Sequence, residues 1–246
     1  MTYLRTWTKD TPADRPVLLC LPQAGAGALQ FQNWQLRLGS RATVCAVQLP
    51  GREDRWGDPA PSGIAEVVGT VIAELADAAL LDGPLVVFGD SFGGLLAYEL
   101  ARALGPAALV VCVCRAPVHW ARQNGLDDDD VEQLASASVE GSSLPPELAA
   151  EMREIAAEVL RRDAVLSTTF RLPPDTEPLR CPVYAWGAVH DEKVTPAQLD
   201  DWHEVTTGPL HRHDFTGGHR ISRDDPLALL GRLSEVLSAL AEEEPS

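Results

Sequence analysis

The chain has 246 residues, 45% of them apolar, which is enough for one α/β domain to bury a full core without splitting. A formal charge of −16 argues against nucleic acid or an anionic membrane surface as a partner through simple electrostatics. Residues 1–10 carry no basic leader followed by an apolar segment, and no stretch approaches the roughly 20 apolar residues that cross a bilayer, so a cytoplasmic location is expected. The five cysteines, Cys20, Cys45, Cys112, Cys114 and Cys181, are odd in number and show neither C-x-x-C spacing nor a Cys/His cluster. That pattern argues against a disulfide framework or a zinc site and favours buried reduced thiols.

Along the chain, apolar runs predict strands at 17–21, 43–47, 85–88, 109–114 and 183–186, with another within 210–215. The first four are short and almost wholly apolar, as strands are in a parallel sheet covered on both faces. A helix is predicted over 64–80, where Ile64, Val67, Val68, Val71, Ile72 and Leu75 form one stripe, and a closing helix over 226–240. The alternation of strand and helix implies a doubly wound α/β fold. It breaks over 117–174, where helices at 127–137, opened by four aspartates, and at 145–162 read as a helical insertion able to cover a cleft as a lid.

The segment Gly89-Asp90-Ser91-Phe92-Gly93 sits between a predicted strand and the helical run Leu95-Leu96-Ala97-Tyr98-Glu99-Leu100-Ala101. Strand, sharp glycine turn and helix together form a nucleophile elbow, which lifts a serine hydroxyl into a cleft at the positive end of a helix. The base expected for Ser91 is His219, which follows the last strand through Gly217-Gly218. Asp191, just after strand 183–186, is the expected carboxylate partner; Glu192 beside it and Asp163 in the insertion are its rivals. The order Ser91, Asp191, His219 is that of α/β-hydrolases.

An oxyanion formed at a carbonyl needs two donors. One is expected from the Phe92 backbone N–H and the other from the small-residue loop Pro22-Gln23-Ala24-Gly25-Ala26-Gly27, with Ala24 as the donor. That loop lacks the P-loop lysine and the third dinucleotide glycine. His211 and His213 share one strand face without a clustered third ligand, so a solvated face is favoured over a metal pair.

These residues resemble the type II, or editing, thioesterases of polyketide and nonribosomal peptide assembly lines. The resemblance runs through Leu21-Pro22-Gln23-Ala24-Gly25-Ala26, Gln48-Leu49-Pro50-Gly51-Arg52-Glu53, the elbow with Ala97-Tyr98-Glu99-Leu100, Arg115-Ala116-Pro117, Cys181-Pro182-Val183 and Gly217-Gly218-His219. It implies an α/β-hydrolase fold with a lid. It also implies hydrolysis of acyl groups from the phosphopantetheine arm of an acyl or peptidyl carrier protein, with no metal or redox cofactor. The sequence departs from the family at Asp90 and Gln23, where histidine is usual, and at Arg220-Ile221, where aromatic residues usually follow Gly-Gly-His. Asp90 is expected either to add negative potential beside the triad or to point away from the cleft. Carrier proteins are generally acidic, so a docking patch is expected from Arg52, Arg55, Arg122 and Arg161. Competing readings are a serine esterase or acyltransferase and a non-catalytic interaction module.

Overall fold

The computed structural model describes residues 2–8, 12, 15–123, 126–141 and 143–243. Seven strands form one sheet: β1 (Leu4–Thr6), β2 (Val17–Leu21), β3 (Thr43–Val47), β4 (Leu85–Asp90), β5 (Ala108–Cys112), β6 (Val183–Ala188) and β7 (Leu210–Phe215). Their order is β1-β3-β2-β4-β5-β6-β7, with β1 antiparallel to β3 and every other neighbouring pair parallel. After β2 the chain crosses to β3 on one side and then returns to lay β4 on the other. The loops leaving β2 and β4 therefore diverge, and in open α/β sheets the crevice at such a reversal is where ligands bind.

Both faces of the sheet are covered. On one lie α2 (Ile64–Asp77) and α3 (Phe92–Leu104); α2 buries Ile64, Val67, Val71 and Leu75, most of the stripe read from the sequence. The other face carries α1 (Trp34–Leu38) and α9 (Pro226–Glu243), with Leu229, Leu233 and Leu237 of α9 against Val86, Phe88 and Val110 of the sheet. Phe31, Trp34 and Phe88 lock together edge to face, with ring centroids 4.8–6.1 Å apart.

Between β5 and β6 stand α4 (Pro117–Gln123), α5 (Asp128–Val139) and α6 (Pro146–Ser167). The aspartate run starts α5 through a capping box in which the Asp127 carboxylate accepts from the Asp130 N–H at 2.8 Å. The short helices α7 (Pro196–Asp200) and α8 (Ile221–Asp224) lie in the connections around β7. Helices α5 and α6 share a small core of Val131, Ala135, Ala157 and Leu160, against which Ala24 packs. Residues 124, 125 and 142 of the predicted insertion lie outside the described residues.

β4 and β6 run two residues further than expected, to Asp90 and Ala188, and α2 stops at Asp77 rather than residue 80; three further differences have a visible cause. Strand β1 was not anticipated, because Leu4-Arg5-Thr6 is partly exposed and lacks an apolar run. β5 ends at Cys112 rather than residue 114: Val113 still donates its N–H to the Trp186 carbonyl of β6 at 2.8 Å, but its φ of +46° turns the chain out of the extended conformation. The second insertion helix continues to Ser167, because Asp163, Leu166 and Ser167 are buried and extend its inner face by more than a turn.

All of the large core side chains in β2 are fully covered, so Leu19→Ala is expected to lose about 2–5 kcal/mol of stability in a denaturant titration. Leu36→Ala, at a side chain 83% exposed, is expected to change it by less than about 0.5 kcal/mol.

Candidate active site

At the end of β4 the backbone turns sharply through Ser91, which sits at φ +49° and ψ −116°. A non-glycine residue in that region is strained, and the surroundings must hold it there. They do so by close contact: a Cβ on Gly89 would lie 2.5 Å from the Gly93 carbonyl oxygen, and one on Gly93 would run into the Leu21 carbonyl oxygen at the end of β2. The elbow thus packs α3 directly against the C-terminal end of β2. Phe92 is the first residue of α3, so its N–H has no acceptor within the helix.

Ser91 Oγ lies 2.9 Å from His219 Nε2, and His219 Nδ1 lies 3.0 and 3.1 Å from the Asp191 carboxylate oxygens. The Asp191 side chain is 1% exposed and its Oδ1 also accepts from the Lys193 and Val194 N–H groups at 2.8 and 3.1 Å. A carboxylate facing Nδ1 sets the ring proton there and leaves Nε2 as the acceptor for the serine hydroxyl. The three residues singled out in the sequence are therefore brought into one relay. Of the rival carboxylates, Glu192 is exposed, and Asp163 is ion-paired with Arg52.

Ser91 and His219 open onto a cavity of about 230 Å³, also lined by Ala24, Trp120, Leu134 and Val194. A larger groove, about 940 Å³, runs on the far side of the loop at 22–27 between Trp56, Met152, Ile155 and Leu227, and does not include the serine. Among the described residues, the Ala24 N–H donates to no protein acceptor.

Side chains that follow the relay residues in sequence hold α5 over this cavity. Lys193 Nζ reaches Asp130 Oδ1 at 3.1 Å and Gln133 Oε1 at 3.0 Å, and Arg220 Nη1 donates to the Ala137 carbonyl at 2.5 Å. Arg220, which replaces the aromatic residue expected from the resemblance, is thus a tether to α5. Neither tether is legible from local spacing, since each partner is 60 or more residues away in the chain. Arg115 also lines the cavity, its guanidinium 4.3 Å above the Trp120 ring. Burial pushes the Arg115 pKa down, opposed by the charge of Asp130.

The structure also bears on the docking patch, on Asp90 and on the histidine pair. Arg52 and Arg55 cannot form a docking patch: they are only 4% and 5% exposed, and their guanidinium groups pair with Asp163 and Asp58. Arg122 and Arg161 are exposed. Asp90, fully buried, lies outside the Ser91 cavity, where its Oδ2 accepts from the Ser222 hydroxyl and from Gln30 Nε2 at 2.6 Å. The alternation His211/His213 carries no metal cluster among the described residues; His211 stacks on Tyr184 at 4.7 Å and His213 meets Phe215 edge-on at 4.6 Å.

Comparison with known proteins agrees with this geometry. The family model described as a thioesterase domain matches residues 16–236. Gramicidin S biosynthesis protein GrsT of Aneurinibacillus migulanus is 31% identical over 215 residues, covering 82% of this chain and 81% of its own. The type II thioesterase BorB from the borrelidin biosynthetic cluster has a TM-score of 0.76 at 32% identity, with 96% of each chain covered. RedJ, a thioesterase from the prodiginine pathway of Streptomyces coelicolor, has a TM-score of 0.78 at 30% identity, covering 91% of this chain and 86% of its own. The chain belongs to the thioesterase family, among its type II members, and is a thioester hydrolase with an α/β-hydrolase fold. Among the described residues no helix is long and apolar enough to cross a membrane.

Burial raises the Asp90 pKa, against the opposing hydrogen bonds from Ser222 and Gln30 and the charge of His219. The folded chain then keeps a proton that the unfolded chain releases. The stabilisation from this group is full below the unfolded value of about 3.9 and is lost as pH rises through the folded value. Asp90→Asn, which keeps an acceptor for Ser222 and Gln30, is therefore expected to raise the melting temperature at pH 7 by about 2–4 °C for each kcal/mol gained, with the advantage shrinking toward pH 4. Calorimetry of both forms at the two pH values measures it.

Proposed function

We propose that Ser91, His219 and Asp191 form the catalytic triad of a thioesterase that hydrolyses acyl groups from the phosphopantetheine arm of an acyl or peptidyl carrier protein. The observation that supports this reading best is the Ser91–His219–Asp191 relay, with 2.9 and 3.0 Å links, opening onto a cavity in a chain of the thioesterase family. Relatives named for gramicidin S and borrelidin biosynthesis favour an assembly-line carrier as the acyl donor.

In the proposed cycle, His219 Nε2 takes the Ser91 proton as Oγ bonds to the thioester carbonyl carbon. The oxyanion accepts hydrogen bonds from the Ala24 and Phe92 N–H groups. Collapse breaks the carbon–sulfur bond, and His219 gives its proton to the departing thiolate, which leaves as the thiol. Water, deprotonated by His219, then attacks the acyl-serine and releases the acid and the serine hydroxyl. Asp191 stays ionised and stabilises the imidazolium in both halves. In this reading residues 1–246 make one α/β-hydrolase domain, and the insertion at 117–174 acts as a lid that sheds bulk water from the acyl-serine.

Ser91→Ala is expected to lower kcat/KM for an acyl thioester by about 10³-fold or more, and Asp191→Asn by about 10²–10⁴-fold. An acyl group on a holo carrier protein is expected to be released at least about tenfold more efficiently than the same group on a small thiol, since binding of the remote part of a substrate contributes to the rate. Equal efficiency on both donors, together with faster cleavage of simple oxygen esters, would identify an esterase instead.

A further inference from the structure

We propose that Asp163, from the lid helix α6, is a positioning residue for the oxyanion hole: it holds the loop at 22–27 so that the Ala24 N–H faces the reacting carbonyl. This rests on the reading of Ser91 as nucleophile and Ala24 as oxyanion donor.

Asp163 is 1% exposed and lies on the same inward stripe as Val159, Leu160 and Leu166. Its Oδ2 accepts from the Gly25 N–H at 2.7 Å. Arg52 grips the same carboxylate at both oxygens, Nη2 to Oδ1 at 2.5 Å and Nη1 to Oδ2 at 2.8 Å, and Arg52 Nη1 also donates to the Ala26 carbonyl at 3.1 Å. Leu160, one turn earlier on α6, stands where a Cβ on Gly25 would meet it at 3.0 Å, and Gly25 itself sits at φ +78°. Further along, Gln48 Oε1 accepts from the Ala28 N–H at 2.7 Å and Glu53 Oε1 from the Leu29 N–H at 3.2 Å. The N–H groups of Gly25, Ala28 and Leu29 and the Ala26 carbonyl are thus each held by a side chain, from the loop into the 3₁₀ turn at Ala28–Phe31. The Ala24–Gly25 peptide is held by the Asp163 bond to the Gly25 N–H; the N–H of the peptide before it, that of Ala24, meets no acceptor among the described residues, and Ala24 lines the cavity that holds Ser91.

Stability alone does not account for the pair. Two charges taken out of water cost several kcal/mol each, and well-packed apolar side chains of similar volume are commonly as stable or more so. What an apolar pair cannot supply is an acceptor for the Gly25 N–H. Arg52 also cancels the negative charge of Asp163, which would otherwise oppose an oxyanion nearby.

The test uses the full chain and one acyl thioester. Asp163→Leu alone leaves the Arg52 guanidinium buried without its partner, so it is paired with Arg52→Met. The double variant is expected to keep its melting temperature within about 3 °C, because removing both charges together avoids that penalty. Its kcat is expected to fall about 10²-fold with KM changed less than about twofold, the signature of an interaction made in the transition state. Labelling of Ser91 by a fluorophosphonate, whose phosphoryl oxygen needs the same donors, is expected to slow in parallel. Asp163→Asn, which keeps an oxygen for Gly25, is expected to retain more kcat than the double variant. If the double variant is stable with unchanged kcat while Ser91→Ala is inactive, the role of Asp163 is overturned and the Ser91 reading stands. If Ser91→Ala retains activity, both are overturned.

Discussion

The N-terminus of α3 touches the C-terminal end of β2 so closely that a single methyl group at residue 93 would collide with the Leu21 carbonyl. That contact places the elbow beside the loop leaving β2, and the relation between Ser91 and the loop at 22–27 depends on it. It also lets Ser91 persist at φ +49°, a conformation that costs about 1–3 kcal/mol and survives only where neighbouring structure over-determines it. Here β4 is flanked by β2 and β5, and the Ser91 N–H is bonded to the Cys112 carbonyl at 2.8 Å. The strained residue is fixed from both sides of the sheet.

Charge is used sparingly inside a chain of net −16. Arg52 and Asp163 are buried as a bidentate pair, Arg55 is buried with Asp58 and the Gln48 carbonyl, and Asp90 is satisfied at one oxygen by Gln30 and Ser222. Lys193 and Arg220 lie within two residues of Asp191 and His219 and hold α5. The loops that carry Asp191 and His219 are therefore joined to α5 by hydrogen bonds, and a movement of α5 must break contacts made immediately beside the relay. The last turns of α6, through Asp163, do the same for the loop at 22–27.

The parts of this structure that repeat with a local period were legible in the sequence. The almost wholly apolar runs at β2, β3 and β4 and the stripe of α2 announce buried strands and a covering helix, and Ser91, Asp191 and His219 are marked by their places after strands. The missed strand β1 has only three residues and no such pattern. Arg52 and Arg55 were misread because charged residues in loops are usually solvated, and their burial follows from partners that only the fold supplies. Asp163 did leave a trace: a carboxylate on the apolar stripe of a helix, between Leu160 and Leu166, signals a buried partner. Spacing alone could not say whether that partner was His219 or an arginine from the loop after β3.

The account depends most on an acyl group passing through Ser91. Rapid quenching of His219→Ala after mixing with an acyl carrier protein, followed by peptide mass spectrometry, tests that passage directly, because loss of the base slows water attack on the acyl-serine as well as its formation. The account predicts the acyl mass on the peptide that contains Ser91 and its absence in the Ser91→Ala/His219→Ala double variant. An acyl adduct on a different residue, or the same adduct yield without Ser91, would contradict it.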